Sequence, residues 1–531
     1  MLIITSAAYI PSELVADLGQ LPPSFLPIRN RRLYHHQLQS LEGLDEKIVL
    51  TLPSDFELDG SDEQQLASMG ARIIRTEPAL PLQQSLLEVM QQCHIPLREP
   101  VRILHGDTLQ RDLPLADVNV VSVAANEGYY PRALVKAAGN QFLSADYRYC
   151  RPGDLVLTGY MCFGDASLFQ SLLQEGLNLF ELLNSYEPRG GRPLVVIKST
   201  GWSDCGHVNA YYRSRASHTA ERVFNELKVE RHYIRKRGKN AKKIQAELDW
   251  FNNVPPSLRH SIPQIGSFST DPENTFYDIE YLYSLPLSDL YVFGRLPVED
   301  WRIIFQRCAD YLSECAAYPK PSGMSMDWRR MYMSKTEARL QVYAGATGWE
   351  IDGPTYIDDL KYPSLLEMAS SAQQVIDAAP EARLSMFHGD FCFSNILYDA
   401  RARRIKVIDP RGLAPDGLPS IYGDIRYDIG KLYHSVVGGY DFVLAGLISA
   451  NADGQNRIRM NGQMPLCTNP IIDAFRQICL KSVDRSGNEA LISAIAVHLF
   501  LSMLPLHDDD AGRQLSLISR AIALYSLIKS R

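Results

Sequence analysis

Over the first 210 or so residues, short apolar runs alternate with polar stretches patterned like amphipathic helices. LIITSA (2–7), KIVLTL (47–52), ARIIRT (71–76), VRILHGD (101–107), NVVSVAA (119–125), DLVLTGYMCF (154–163) and LVVIKST (194–200) read as buried strands. LQQSLLEVMQQ (82–92) and ASLFQSLLQEGLNLFELLN (166–184) carry the helical period between them. This alternation predicts an α/β unit with a largely parallel sheet, whose ligands bind at the carboxyl ends of the strands. The rhythm changes after about residue 213. The second half of 221–236 is hairpin-like, AKKIQAELDWFNN (241–253) is helical, and IGSF (265–268) and FYDIEYLY (276–283) are strand-like. From about 297 to 386 the pattern is mainly helical, NILYDARARRIKVIDPRG (395–412) is a short β section, and the remainder is helical again. We therefore expect a second domain, with a small β-rich lobe at about 214–285 and a larger helical lobe at about 286–531.

Composition narrows the function classes. The chain has 531 residues, enough for about two large or three ordinary folding units. Lys and Arg number 54 against 61 Asp and Glu, a formal net charge of −7, so no nucleic-acid partner is expected. Nine cysteines are scattered without CxxC spacing, which fits free thiols in a reducing cytoplasm better than a disulfide framework or a zinc site. MLIITSAAYIPSEL lacks a basic flank and is not expected to be a signal peptide. The longest apolar run, 490–506, is interrupted by His498, serines and Pro505. It is expected to be a buried core helix, with no membrane insertion.

The sharpest chemical signal is HGDFCFSNILYDARARRIKVIDPRG (388–412). Phosphoryl transfer needs a carboxylate to orient the acceptor hydroxyl and oxygen ligands for magnesium. His388, Asp390 and Asn395 have the spacing of a kinase catalytic loop, and Asp409 ends the strand-like IKVID. This segment resembles the aminoglycoside phosphotransferase and choline kinase family, which has a bilobal protein-kinase-like fold. The resemblance implies that Asp390 is the catalytic base, that Asn395 and Asp409 are magnesium ligands, and that His388 packs the loop. Upstream, Lys236 ends HYIRK on a strand and Glu247 follows on the next helix, the arrangement of an ion pair that holds nucleotide phosphates. Arg235, Arg237 and Lys239 are rivals for that role, since segment 228–243 holds eight Lys or Arg. No glycine-rich loop precedes this lysine; Ser217 and Thr219 are the candidate phosphate contacts in its place. IEYL, with Glu280 and Leu282, resembles the linker that bonds the nucleotide base. Asp424 and Asp428 match the family's region behind the site and are read as structural. The role of Arg411 stays open.

The first half carries a second constellation. Gly106-Asp107 follows an apolar strand, and KSTGWSDCGHVNAYYRSR (198–215) contains Trp202, Asp204 and Gly206. These resemble the sugar nucleotidyltransferase family, a Rossmann-like α/β fold, with a GD pair and a closing W-x-D-x-G segment. The resemblance implies that Asp107 and Asp204 jointly hold magnesium between NTP and acceptor phosphate, and that Gly159 and Trp202 lie beside the substrate. LPPSFLPIRNRRLYHHQL (21–38) resembles another of the family's segments. The family's GxGxR loop is replaced here by TSAAYIPSEL and its lysine by Ser24; Arg29, Arg31 and Arg32 are candidate substitutes.

The two resemblances cover about 1–213 and 214–531, and their chemistries are consecutive. A kinase makes a phosphomonoester from an alcohol or sugar, and a nucleotidyltransferase activates that ester. The expectation is a cytoplasmic bifunctional kinase and nucleotidyltransferase, using ATP or another NTP and Mg2+. Its product would be an NDP-sugar or CDP-alcohol precursor for capsule or lipopolysaccharide synthesis. The alternative is an active kinase carrying a non-catalytic nucleotide- or sugar-binding domain. Choline, ethanolamine, glycerol, a polyol and a sugar all stand as candidate acceptors.

Overall fold

The computed structural model describes residues 1–78, 80–93, 99–126, 134–136, 141–143, 151–217, 225–229, 233–238, 240–322, 328–381, 383–481 and 489–529. The chain divides into two compact units, Met1–Thr219 and Ala220–Arg531.

The apolar runs of the first unit become the strands of one nine-stranded sheet. Along its main path the order is Gln141–Leu143, Leu134–Lys136, Leu155–Phe163, Val101–His105, Leu2–Thr5, Ile48–Pro53, Ala71–Thr76. Val120–Ala125 also pairs with Leu155–Phe163, and Val195–Lys198 pairs with Val120–Ala125. Leu2, Ile3, Ile4, Val101, Ile103 and Leu104 are essentially inaccessible, as expected of strands covered on both faces. Helices Leu82–Cys93, Ala166–Gln174 and Leu179–Tyr186 supply the covering, stacking Leu86, Val89, Phe169, Leu172 and Leu183 on the sheet. The sheet is mixed and not largely parallel. Leu155–Phe163 runs antiparallel to both Val101–His105 and Val120–Ala125. Strand-like periodicity registers burial but not direction, so a reversed strand leaves no trace in it.

The second unit opens with a four-stranded antiparallel sheet in the order Asn225–Val229, Tyr233–Gly238, Phe276–Glu280, Ile265–Ser269. Helix Ala241–Asn252 starts where the Asn240 side chain accepts the amide of Lys243. It buries Ile244, Leu248 and Phe251, with Glu247 on the same face. The helical lobe contains Val298–Ala316, Met333–Thr347, Leu365–Ala378, Ile425–Val436, Glu489–Met503 and Ala511–Lys529. Every residue from Leu491 to Ser502 is buried, which is the signature of a central core helix. With the turn that follows it, this helix makes Glu489–His507 the one span among the described residues long and apolar enough to cross a membrane. A hairpin of Ile396–Asp399 and Arg404–Val407 projects the second half of the kinase-like motif. That strand ends at Val407, before Asp409, because Asp409 adopts left-handed backbone (φ 56°) and cannot continue the ladder.

Candidate active sites

In the second unit the ammonium of Lys236 sits between two carboxylates. It lies 2.6 Å from Glu247 Oε2 and 2.9 Å from Asp409 Oδ1. Tyr277 OH donates to the same Glu247 oxygen at 2.8 Å. The Lys236 and Glu247 side chains are only 4% and 1% exposed, so this is a desolvated ion pair. Burial alone would depress Lys236, but Asp409 and Glu247 outweigh it and hold the amine above its ordinary range. The rivals are committed elsewhere. Arg235 is bidentate on Asp278 at 2.8 and 2.9 Å, and Arg237 donates to Asn274. Lys239 lies outside the described residues. Strand alternation explains the selection: Lys236 points inward, while its neighbours at 235 and 237 point to the other face.

The loop that carries Asp390 is held from below. Asp428 accepts the amides of His388 and Gly389, each at 2.7 Å. His388 is fully buried, packs edge-on against Trp250, and accepts the Asp390 amide at 3.3 Å. Burial lowers its pKa to about 4, so it is neutral in this role. Gly389 (φ +81°) is obligatory, since a Cβ there would lie 2.5 Å from Arg411 Cβ. Asn395 donates to both the main-chain oxygen and Oδ2 of Asp390 at 3.0 Å. Lys431 contacts Asp390 Oδ1 at 2.8 Å. Burial pushes the Asp390 carboxyl up, but Lys431, with Arg411 adding to it, overrides it and holds the group ionised, below the usual carboxylate range.

Asp390 and Asn395 thus meet in one hydrogen-bonded loop, and Lys236, Glu247 and Asp409 meet in one ion-pair cluster. Glu280 ends its strand with its amide donating to the Gln264 carbonyl, and the Leu282 carbonyl accepts the Ser284 amide. Ser217 is the last residue of helix Val208–Ser217. Thr219 lies outside the described residues. Asp424 caps helix Ile425–Val436 and pairs with Arg426. Lys431 is a partner that sequence reading missed. Its signal was the i,i+3 spacing from Asp428, which places both on the helix face beneath the loop.

In the first unit Asp107 follows strand Val101–His105, and Asp204 ends the short strand Trp202–Asp204. That strand pairs antiparallel with Thr108–Gln110, setting Asp204 opposite Thr108 and Trp202 opposite Gln110. The Asp107 carbonyl accepts the Cys205 amide at 2.9 Å. A Cβ on Gly206 would come within 2.1 Å of Asp107 Oδ2, so only glycine permits this approach. Asp204 accepts the Gly206 amide at Oδ1 and pairs with His207 Nδ1 at Oδ2, both at 2.9 Å. Burial, with the nearby Asp204 charge adding to it, raises the Asp107 carboxyl. Gly159 (φ +97°) lies at a register shift in the pairing with Val120–Ala125, and a Cβ there would sit 2.9 Å from both His105 and Thr108. Ser24 does not extend toward a ligand as a lysine would: its amide donates to Ser6 Oγ and its hydroxyl to the Gly106 carbonyl. Arg32 is buried against Asp62, at 3.2 Å, while Arg29 sits at the hairpin tip and Arg31 on the strand beside it, opposite Ile28.

Both donor sets suit magnesium. Asp390, Asn395 and Asp409 offer hard oxygens, as do Asp107 and Asp204, and like-charged Asp107 and Asp204 gain from a dication between them. Among the described residues no group of three or more His, Cys, Asp or Glu forms a closed metal cage. Magnesium held by one or two carboxylates plus substrate phosphates requires no such cage.

No family model and no curated protein matches the sequence. Among solved structures, the N-terminal part of the chain is similar to a nucleoside-diphosphate-sugar pyrophosphorylase from Vibrio cholerae. Identity is 13%, the TM-score is 0.35, and the match covers 40% of this chain and 99% of that one. The chain is also similar to the GDP complex of an aminoglycoside 2'-phosphotransferase, at 15% identity and TM-score 0.37, covering 59% of this chain and 90% of that one. A third likeness is to a choline kinase from Streptococcus pneumoniae, at 13% identity and TM-score 0.34, over 58% of this chain and 91% of that one.

Proposed function

We propose that the chain is a bifunctional enzyme, with a nucleotidyltransferase domain at 1–213 and a small-molecule kinase domain at 214–531. It makes an activated NDP-sugar or CDP-alcohol for surface polysaccharide. The observation that carries this reading is the Lys236 ammonium bridging Glu247 and Asp409, beside a loop in which Asn395 bonds Asp390.

In the kinase step the acceptor hydroxyl attacks the γ-phosphorus of the nucleoside triphosphate. A P–O bond forms, the bond to the β–γ bridging oxygen breaks, and the diphosphate leaves with that electron pair. The hydroxyl proton passes to Asp390. An ionised carboxylate of low basicity suits a loose transition state, because its main task is to orient the hydroxyl until the proton leaves late. Lys236 binds phosphate oxygens, and Glu247 fixes its direction. Asn395 and Asp409 are the proposed magnesium ligands here, and Asp107 and Asp204 in the first domain. Bound magnesium supplies positive charge that neutralises the phosphates and draws them together. Glu280 and Leu282 are proposed around the nucleotide, and Gly159 and Trp202 around the substrate of the first domain.

The alternative, a kinase with a non-catalytic first domain, is favoured by one observation: Ser24 is tied into the fold through Ser6 and Gly106. Pyrophosphate release with each NTP and a panel of phosphomonoesters separates the two readings. Sustained, magnesium-dependent release supports the bifunctional enzyme. Nucleotide binding without release supports the alternative.

A further inference from the structure

Three elements converge near Asp390, and each contributes a cation. On helix Met333–Thr347, Lys335 and Arg339 are one turn apart and share a face. On helix Ile425–Val436, Tyr427 and Lys431 have the same i,i+4 relation. Arg411 comes from the loop after Asp409, anchored by its amide on the His388 carbonyl and its Nε on the Leu413 carbonyl, each at 2.9 Å. Lys335 Nζ lies 3.4 Å from Tyr427 OH, and Lys431 reaches Asp390 at 2.8 Å. Arg339 is anchored on the Ser502 carbonyl.

The nearby acids are already engaged. Asp390 is on Lys431, Asp428 on the His388 and Gly389 amides, Asp424 on Arg426, and Asp409 on Lys236. Among the described residues Lys335, Arg339 and Arg411 have no ion-pair partner. The field acts on its members. Burial, with Arg411, Arg339 and Lys431 adding to it, lowers Lys335 to about 8. Burial would raise the Tyr427 phenol, but Lys335, Lys431 and Arg411 overcome it and bring the group down to about 8. Uncompensated cations around a half-exposed carboxylate are costly unless a ligand completes them.

We infer that the alcohol phosphorylated at Asp390 carries an anionic oxygen group, a carboxylate or a phosphate, which Lys335, Arg339 and Arg411 receive while its hydroxyl meets Asp390. This rests on the kinase reading and specifies its acceptor. Quaternary ammonium and polyamine alcohols enter against this field and are poor acceptors. The transfer is the one written above, with the nucleoside triphosphate as phosphoryl donor, so the product bears the new phosphomonoester beside the original anion.

The test uses the full-length chain with Mg·ATP and four groups of alcohols. Glycerate and gluconate carry carboxylate, and glycerol 3-phosphate and glucose 6-phosphate carry phosphate. Glycerol and sorbitol are neutral, and choline and ethanolamine are cationic. Each is scored by ADP formation and by the shift in melting temperature it produces with Mg·ADP present, so a compound need not turn over to register. The best member is expected to be anionic, exceeding its neutral counterpart about 10- to 100-fold in kcat/KM or affinity. Comparing the carboxylate and phosphate arms then identifies the anion. Lys335→Gln should raise KM for that acceptor about tenfold or more with KM for ATP unchanged, and Lys335→Arg should restore it. A best acceptor that is neutral or cationic, or no response to any anionic member, overturns the inference. Failure of ATP itself to bind or to be hydrolysed would instead condemn the kinase reading beneath it.

Discussion

Lys236 shows how much a single side chain carries in this fold. It is buried, bonded to two carboxylates, and the only one of four clustered candidate cations to have both as partners among the described residues. Lys236→Met should leave buried Glu247 with only the half-exposed Lys243 ammonium 3.8 Å away, destabilising the second unit by about 3 kcal/mol. Phosphoryl transfer should be lost with it; urea unfolding and ADP formation check the two effects separately. Periodicity placed Lys236 on a strand, but the sequence kept Arg235, Arg237 and Lys239 as rivals, because a segment with eight basic residues among sixteen does not say which one meets an acid. Lys335 and Tyr427 escaped sequence reading for a related reason: their significance lies in mutual proximity across helices distant in the chain. Both predict a pH dependence. Losing the Lys335 proton or the Tyr427 proton near pH 8 removes positive charge, so kcat/KM for an anionic acceptor should fall above about pH 8. Fold stability responds with the opposite sign at Lys335. Between about 8 and its ordinary 10.5 the unfolded chain binds more protons than the native one, so this group's contribution to stability rises with pH across that window. Acceptor kinetics and melting temperatures between pH 7 and 10 measure both slopes.

At the scale of elements, glycines decide where backbones close around the acidic groups. Gly412 has φ +66°, and a Cβ there would lie 2.4 Å from the Ala246 carbonyl, on the helix that carries Glu247. Gly412→Ala should therefore destabilise the second unit by about 1–3 kcal/mol or more and raise KM for ATP, as measured by thermal unfolding and kinetics. The first unit offers a contrasting case. Asp107 and Asp204 repel across a short two-stranded ladder, so Asp107→Asn relieves repulsion. The variant is expected to melt at or above the wild-type temperature while pyrophosphate release falls at least about 100-fold. Strands and the core helix were well marked in the sequence because burial writes an apolar pattern. The reversed strand Leu155–Phe163 was not, and neither was the end of the strand before Asp409. Direction is set by chain connection, and left-handed backbone at a non-glycine residue has no periodic signature.

For the molecule as a whole, the proposed consecutive chemistries in one polypeptide would keep a phosphomonoester intermediate at high effective concentration. The motif residues that resemblance singled out lie close together within each unit, since Asp390–Asn395 and Lys236–Glu247–Asp409 are bonded sets and Asp107 adjoins Gly206 and Asp204. What the sequence withheld was the charge of the acceptor pocket, which emerges only when three elements are folded against one another. The most direct measurement compares wild type and Asp390→Asn in two assays on the same preparation. One follows phosphoryl transfer from Mg·ATP to the preferred alcohol, and the other pyrophosphate release from NTP and a supplied phosphomonoester. The variant is expected to lose phosphoryl transfer by at least about 100-fold and to keep pyrophosphate release. Phosphorylation by the variant at the wild-type rate would contradict that expectation.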